Sequence, residues 1–157
     1  MEELHIAQGS KTDRYRLLLE QVRSVTEGEP DLIANMANTA SMIHETFGFW
    51  WTGFYRVQGD ELVLGPFQGP LACTRIKRGR GVCGTAWAKG QTLVVPNVDH
   101  FPGHIACSSA SRSEIVVPLM DVQGKVMAVL DIDSDQLNTF DSEDAQWLEK
   151  IAGMIKA

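Results

Sequence analysis

Nowhere in the 157 residues is there an apolar run of about 18, the length a membrane-spanning helix needs. The N-terminus, MEELHIAQGSKTDRYRLL, lacks the basic start and apolar centre of a secretory leader, so a cytoplasmic protein without membrane contacts is expected. Excess positive charge is missing too. With 14 Lys and Arg against 20 Asp and Glu the formal net charge is -6, which excludes a general nucleic-acid binder. No G-x-x-x-x-G-K-[ST] loop is present, and GRGVCG (Gly79 to Gly84) is read as lacking the strand and helix of a dinucleotide fingerprint. Cysteine is scarce. Three thiols with no C-x-x-C pair are not a structural disulfide framework, which leaves packing, metal binding or redox chemistry.

What is there reads as one domain over residues 1–157, with residues 1–11 as a flexible N-terminal segment. Leu17, Leu18, Val22 and Val25 follow a helical spacing that closes at Gly28, and Leu32 to Ile43 repeat it between Pro30 and Gly48. From Phe49 the period changes. FWWTGFYRV and DELVLGPFQG flank QGD as a hairpin, a short strand runs from Cys73 to Ile76, GVCGTAWAKG is a short helix, and TLVVP is a strand. SEIVVPLMD and KVMAVLDID form a second hairpin, and Asp141 caps a closing helix. Terminal helices around a strand-rich middle predict an α+β fold with a mainly antiparallel sheet.

Four groups of residues carry candidate chemistry. Cys73, Cys83 and Cys107 lie at element edges or in Gly-rich context, where a thiol is either reactive or inert packing. Glu114 opens one strand of the second hairpin while Asp131 and Asp133 close the other. Strand alternation gives the two aspartates one face, and close carboxylates cannot all ionise cheaply, so at least one should keep its proton near neutrality; solvated strand ends are the other reading. FGFWWTGFY holds six rings, with Phe49, Trp51 and Gly53 on one side by parity and Trp50, Thr52 and Phe54 on the other. His100, His104 and Cys107 have zinc-type donors, but Pro102 and Gly103 between the histidines argue against a metal site, and none is expected. The basic run RIKRGR (Arg75 to Arg80) is either a solvated loop or an anion- or partner-facing patch.

Together GFYRV, LGPFQG, ACTRI, GRGVCGTAW, VPNVDHFPGHIACSSASRSEIVVPL and VLDIDS resemble the free methionine-(R)-sulfoxide reductases, enzymes built on a GAF domain. The resemblance implies a six-stranded antiparallel sheet with the terminal helices on one side and the pocket on the other, in a homodimer. It implies Cys107 as nucleophile, Cys73 as recycling thiol, and Cys83 as a third cysteine that reacts or shapes the pocket. Glu114, Asp131 and Asp133 match the acids that hold the substrate's polar end and sulfoxide oxygen, and Trp51 the wall against its methyl group. The implied reaction needs no cofactor: a sulfenic acid on Cys107 becomes a disulfide that thioredoxin reduces. A GAF domain without turnover, sensing a small ligand or redox state, is the alternative.

Overall fold

The computed structural model describes residues 3–104 and 110–156. Two helices come first. Helix α1 (Lys11–Thr26) starts at a reciprocal cap, Ser10 accepting from the Asp13 N–H while the Asp13 carboxylate accepts from the Ser10 N–H. Removing such a cap typically costs about 1 kcal/mol. The helix thus begins inside the stretch read as an N-terminal segment, and the His5 N–H is bonded to Gln21 Oε1 at 2.7 Å. Helix α2 (Leu32–Phe47) is capped by Asp31 and ends at Gly48, whose φ of 67° is left-handed and suits glycine.

Strands β1 (Trp51–Gln58), β2 (Glu61–Gln68), β3 (Arg75–Lys77), β4 (Leu93–Val95), β5 (Ser113–Met120) and β6 (Val126–Ser134) form one sheet. Their order is β3-β2-β1-β6-β5-β4, with every neighbouring pair antiparallel, so the fold is α+β as expected. Helix α3 (Gly81–Lys89) links the two edge strands and packs on β3, β5 and β6. Helix α4 (Ser142–Ala152) starts at a second capping box, Asp141 with Asp144.

Both faces of the sheet are covered, so the central strands are buried on both sides. On one face Phe54, Ile115, Val117, Leu130 and Ile132 meet Leu18, Met36, Ile43 and Leu148 of α1, α2 and α4. On the other, Trp51, Tyr55, Val116 and Val129 meet Val82, Cys83, Ala86 and Trp87 of α3. Alternation assigns the acids: with Val116 and Val129 on the α3 face, Glu114, Asp131 and Asp133 lie there too, at one end of β5 and β6.

Several expectations are corrected. The short strand is Arg75–Lys77, which leaves Cys73 in the preceding connection. Parity holds only from Trp51, where β1 begins. Phe49 therefore packs on the helix side, stacked with Phe47 at 5.2 Å, while Trp50 joins the α3 side. GRGVCG does follow a strand, and its last four residues form the first turn of α3. It is still no dinucleotide turn, because β3 is an antiparallel edge strand outside any parallel βαβ unit. Its last glycine permits close packing, since a Cβ on Gly84 would lie 2.5 Å from the Lys77 carbonyl oxygen.

Candidate active site

Strands β1, β5 and β6, the start of α3 and the connection from β4 to β5 converge at the acidic end of the sheet. In the β5–β6 ladder Glu114 stands opposite Asp133 and Val116 opposite Asp131; in the β1–β6 ladder Trp51 stands opposite Asp133 and Gly53 opposite Asp131. Asp133 thus lies between Glu114 and Trp51 in three adjacent strands. The first turn of α3 adds Cys83, and the connection from β4 to β5 adds His104 and Ser111. These side chains line one cavity with Tyr55, Leu71, Ala72 and Arg80, enclosing about 50 Å³.

The aromatic wall depends on an absent side chain. A Cβ on Gly53 would fall 2.6 Å from the Trp51 ring and 2.4 Å from Phe67 Cβ, so glycine lets the indole lie flat across the strand. Trp51 stacks on Phe67 at 5.2 Å and donates its indole N–H to the Pro70 carbonyl at 3.0 Å. One residue is added to β2 between the pairs Gly53↔Phe67 and Tyr55↔Leu64. Pro66, which has no N–H to donate, falls in that bulge.

Electrostatically the cavity is a set of acids with few donors. Glu114 and Asp131 are only 6% and 5% exposed. Burial, then the charges of Asp131 and Asp133, push the Glu114 carboxyl well above its ordinary range. Asp133 is raised by burial and by Asp131, against a hydrogen bond from Ser111 Oγ at 3.2 Å. Asp131 is raised by burial, and its Oδ1 has no hydrogen-bond partner among the described residues. His104 Nε2 stays 3.9 Å from Glu114 Oε1, a contact rather than a hydrogen bond, and burial lowers its pKa, which favours the neutral ring.

The thiols differ. Cys83 is free and 4% exposed, with its Sγ 4.0 Å from Glu114 Oε2, and burial ahead of the neighbouring acids holds it well above the usual thiol range. It is therefore a poor nucleophile in this setting. Cys73 is half-buried beside the cavity: its neighbours Leu71 and Ala72 line it, and its carbonyl accepts from the Tyr55 hydroxyl at 2.8 Å. Cys107 lies outside the described residues.

The structure thus brings together Trp51, Cys83, Glu114, Asp131 and Asp133, and it separates the two histidines, since His100 lines a different depression beside β4. Trp50 is not among the lining residues. Of the basic run, Arg75 pairs with Glu61 at 3.4 Å, Arg78 lies over the Trp87 ring at 5.3 Å, and Arg80 reaches the cavity at the start of α3. Tyr55 and Ser111 are not among the candidates the sequence offers, while Arg80 belongs to the basic run for which an anion-facing patch is one reading. Tyr55 had a signal, being two residues beyond Gly53 on the face of Trp51.

Known proteins match this arrangement over nearly the whole chain. A family model described as GAF domain matches residues 31–157. GAF domain-containing protein A of Dictyostelium discoideum is 54% identical over 155 residues, covering 98% of each chain. Free methionine-R-sulfoxide reductase of Escherichia coli is 44% identical, covering 94% of this chain and 89% of its own. The X-ray structure of free methionine-R-sulfoxide reductase from Neisseria meningitidis in complex with its substrate superposes with a TM-score of 0.96 at 55% identity, over 99% of this chain and 93% of that one.

Proposed function

This chain belongs to the GAF-domain family that includes the free methionine-R-sulfoxide reductases, and we propose that it reduces free methionine-(R)-sulfoxide to methionine with its own thiols. The observation that carries the reading is the trio of buried Glu114 and Asp131 and half-buried Asp133, which lines one small cavity with Trp51. Sulfoxide oxygen leaves only when protonated, and a carboxyl held above its ordinary pKa keeps a proton to give near neutral pH.

In the proposed reaction the Cys107 thiolate attacks the sulfoxide sulfur while one acid of the trio protonates the oxygen. The protonated oxygen then passes to the Cys107 sulfur as the substrate's S–O bond and the S–S bond of the adduct break, so methionine departs with two more electrons on its sulfur and Cys107 is left as a sulfenic acid. The Cys73 thiol displaces that oxygen as water, forming a disulfide. An external dithiol, thioredoxin, takes over the disulfide and returns the two electrons. Thiols supply every electron, so the scheme contains no cofactor.

The cavity also suits a free amino acid. Carboxylates balance a substrate ammonium, and the positive end of α3 with Arg80 offers a place for its carboxylate. A peptide bond would remove the ammonium charge and leave buried acids unpaired.

Single-turnover assays test the assignment. Cys107→Ser should form no methionine, whereas Cys73→Ser should form one equivalent and then stop for lack of recycling. Full steady-state activity in either variant would reverse these roles. A ligand sensor of the same fold would show no repeated consumption of reductant.

A further inference from the structure

We propose that Cys83, Glu114 and Asp131 form a binding site for a zinc-type divalent cation, which occupies the floor of the cavity in place of substrate. One Sγ and two carboxylate oxygens lie within 4.8 Å of one another, and all three side chains are more than nine-tenths buried. The thiol is free, and Asp131 Oδ1 is a buried acceptor with no hydrogen-bond partner among the described residues. A buried oxygen in that condition is destabilising, and a coordinated cation would satisfy it.

The donor set selects the metal. Calcium and magnesium take oxygen ligands only, whereas sulfur with oxygen, and an imidazole close by, suits zinc. Bonds of ~2.3 Å to sulfur and ~2.1 Å to oxygen at tetrahedral angles put the donors roughly 3.5 Å apart, so closure asks for shifts on the order of 1 Å. His104, whose Nε2 is 3.9 Å from Glu114 Oε1, stands where a fourth ligand could come from. On binding, the Cys83 S–H bond is replaced by a metal–sulfur bond and the proton leaves to solvent; no electron is transferred.

Binding stands on this geometry alone. Only its consequence, that zinc and sulfoxide exclude one another, rests on the proposed function. The test is a titration of the reduced chain carrying Cys73→Ser and Cys107→Ser with cobalt(II), followed by near-ultraviolet absorption. The expected result is one cobalt per chain with a thiolate-to-metal charge-transfer band, displaced by zinc, lost on adding Cys83→Ala and weakened by Asp131→Asn. Absence of the band, its survival in Cys83→Ala, or its insensitivity to Asp131→Asn in a chain with unchanged circular dichroism would overturn the proposal. In the parent chain zinc should raise the KM for sulfoxide; a parent without turnover would remove the reductase reading and leave the cobalt readout standing.

Discussion

Glu114 and Asp133 face one another across the β5–β6 ladder, two carboxyl groups in adjacent strands with Asp131 further along the same face. Burial, and then the charge of Asp131, raise both carboxyls, so the folded protein binds protons that the unfolded chain has released. For a carboxyl raised on folding, the stability it contributes is full below its ordinary pKa and is lost as pH rises through the folded value.

It follows that Glu114→Gln, which stays neutral, should melt above the parent at about pH 8 and show a smaller loss of melting temperature between about pH 5 and pH 8. Each kcal/mol relieved reads as about 2–4 °C in a chain of this size. The same substitution should slow sulfoxide reduction. Thermal scans at the two pH values check the first part, and a variant no more stable than the parent at alkaline pH would mean that folding does not raise the Glu114 carboxyl.

Gly53→Ala should damage the site from within the sheet. Its methyl group would collide with the Trp51 ring and with Phe67 Cβ, and overpacking of this kind typically costs about 1–3 kcal/mol. The indole must move, so KM for the substrate should rise more than kcat falls. Tryptophan fluorescence with steady-state kinetics measures both effects; parent-like kinetics would detach the aromatic wall from substrate binding.

On the opposite face Tyr15 separates stability from chemistry. Its hydroxyl donates to the buried Asp144 at 2.6 Å, where Lys11 also pairs at 2.7 Å, joining α1 to the start of α4. Tyr15→Phe leaves one carboxylate oxygen short of a donor, a loss of about 1–3 kcal/mol. Denaturant unfolding should record that loss while turnover stays at the parent level, because the sheet lies between this pair and the cavity.

The acidic trio was legible in the sequence because its geometry is local. A short turn sets the β5–β6 register, and a period of two then gives Asp131 and Asp133 one face with Glu114 opposite. The choice between Trp50 and Trp51 was not legible, since it depends on where β1 begins, and a strand buried on both faces carries no alternation to mark the start. The sequence offers His104 only as a candidate metal ligand, because its approach to Glu114 depends on a path between β4 and β5 that no periodic signal describes. For GRGVCG the sequence reading is right that it is no dinucleotide turn but not in its reason, since a strand does precede it and a helix does start within it. Gly84 serves tight packing of α3 against the edge of the sheet, whereas Gly79 takes a left-handed turn with open space around it.

The central claim is turnover on a free amino acid sulfoxide, and it is tested most directly by reductant consumption with thioredoxin recycling. Three substrates are compared: free methionine-(R)-sulfoxide, the free S epimer and a peptide-bound sulfoxide. Repeated turnover confined to the free R epimer is the predicted result. No turnover on any of the three, with folded and reduced protein, would contradict it and favour a ligand-sensing GAF domain.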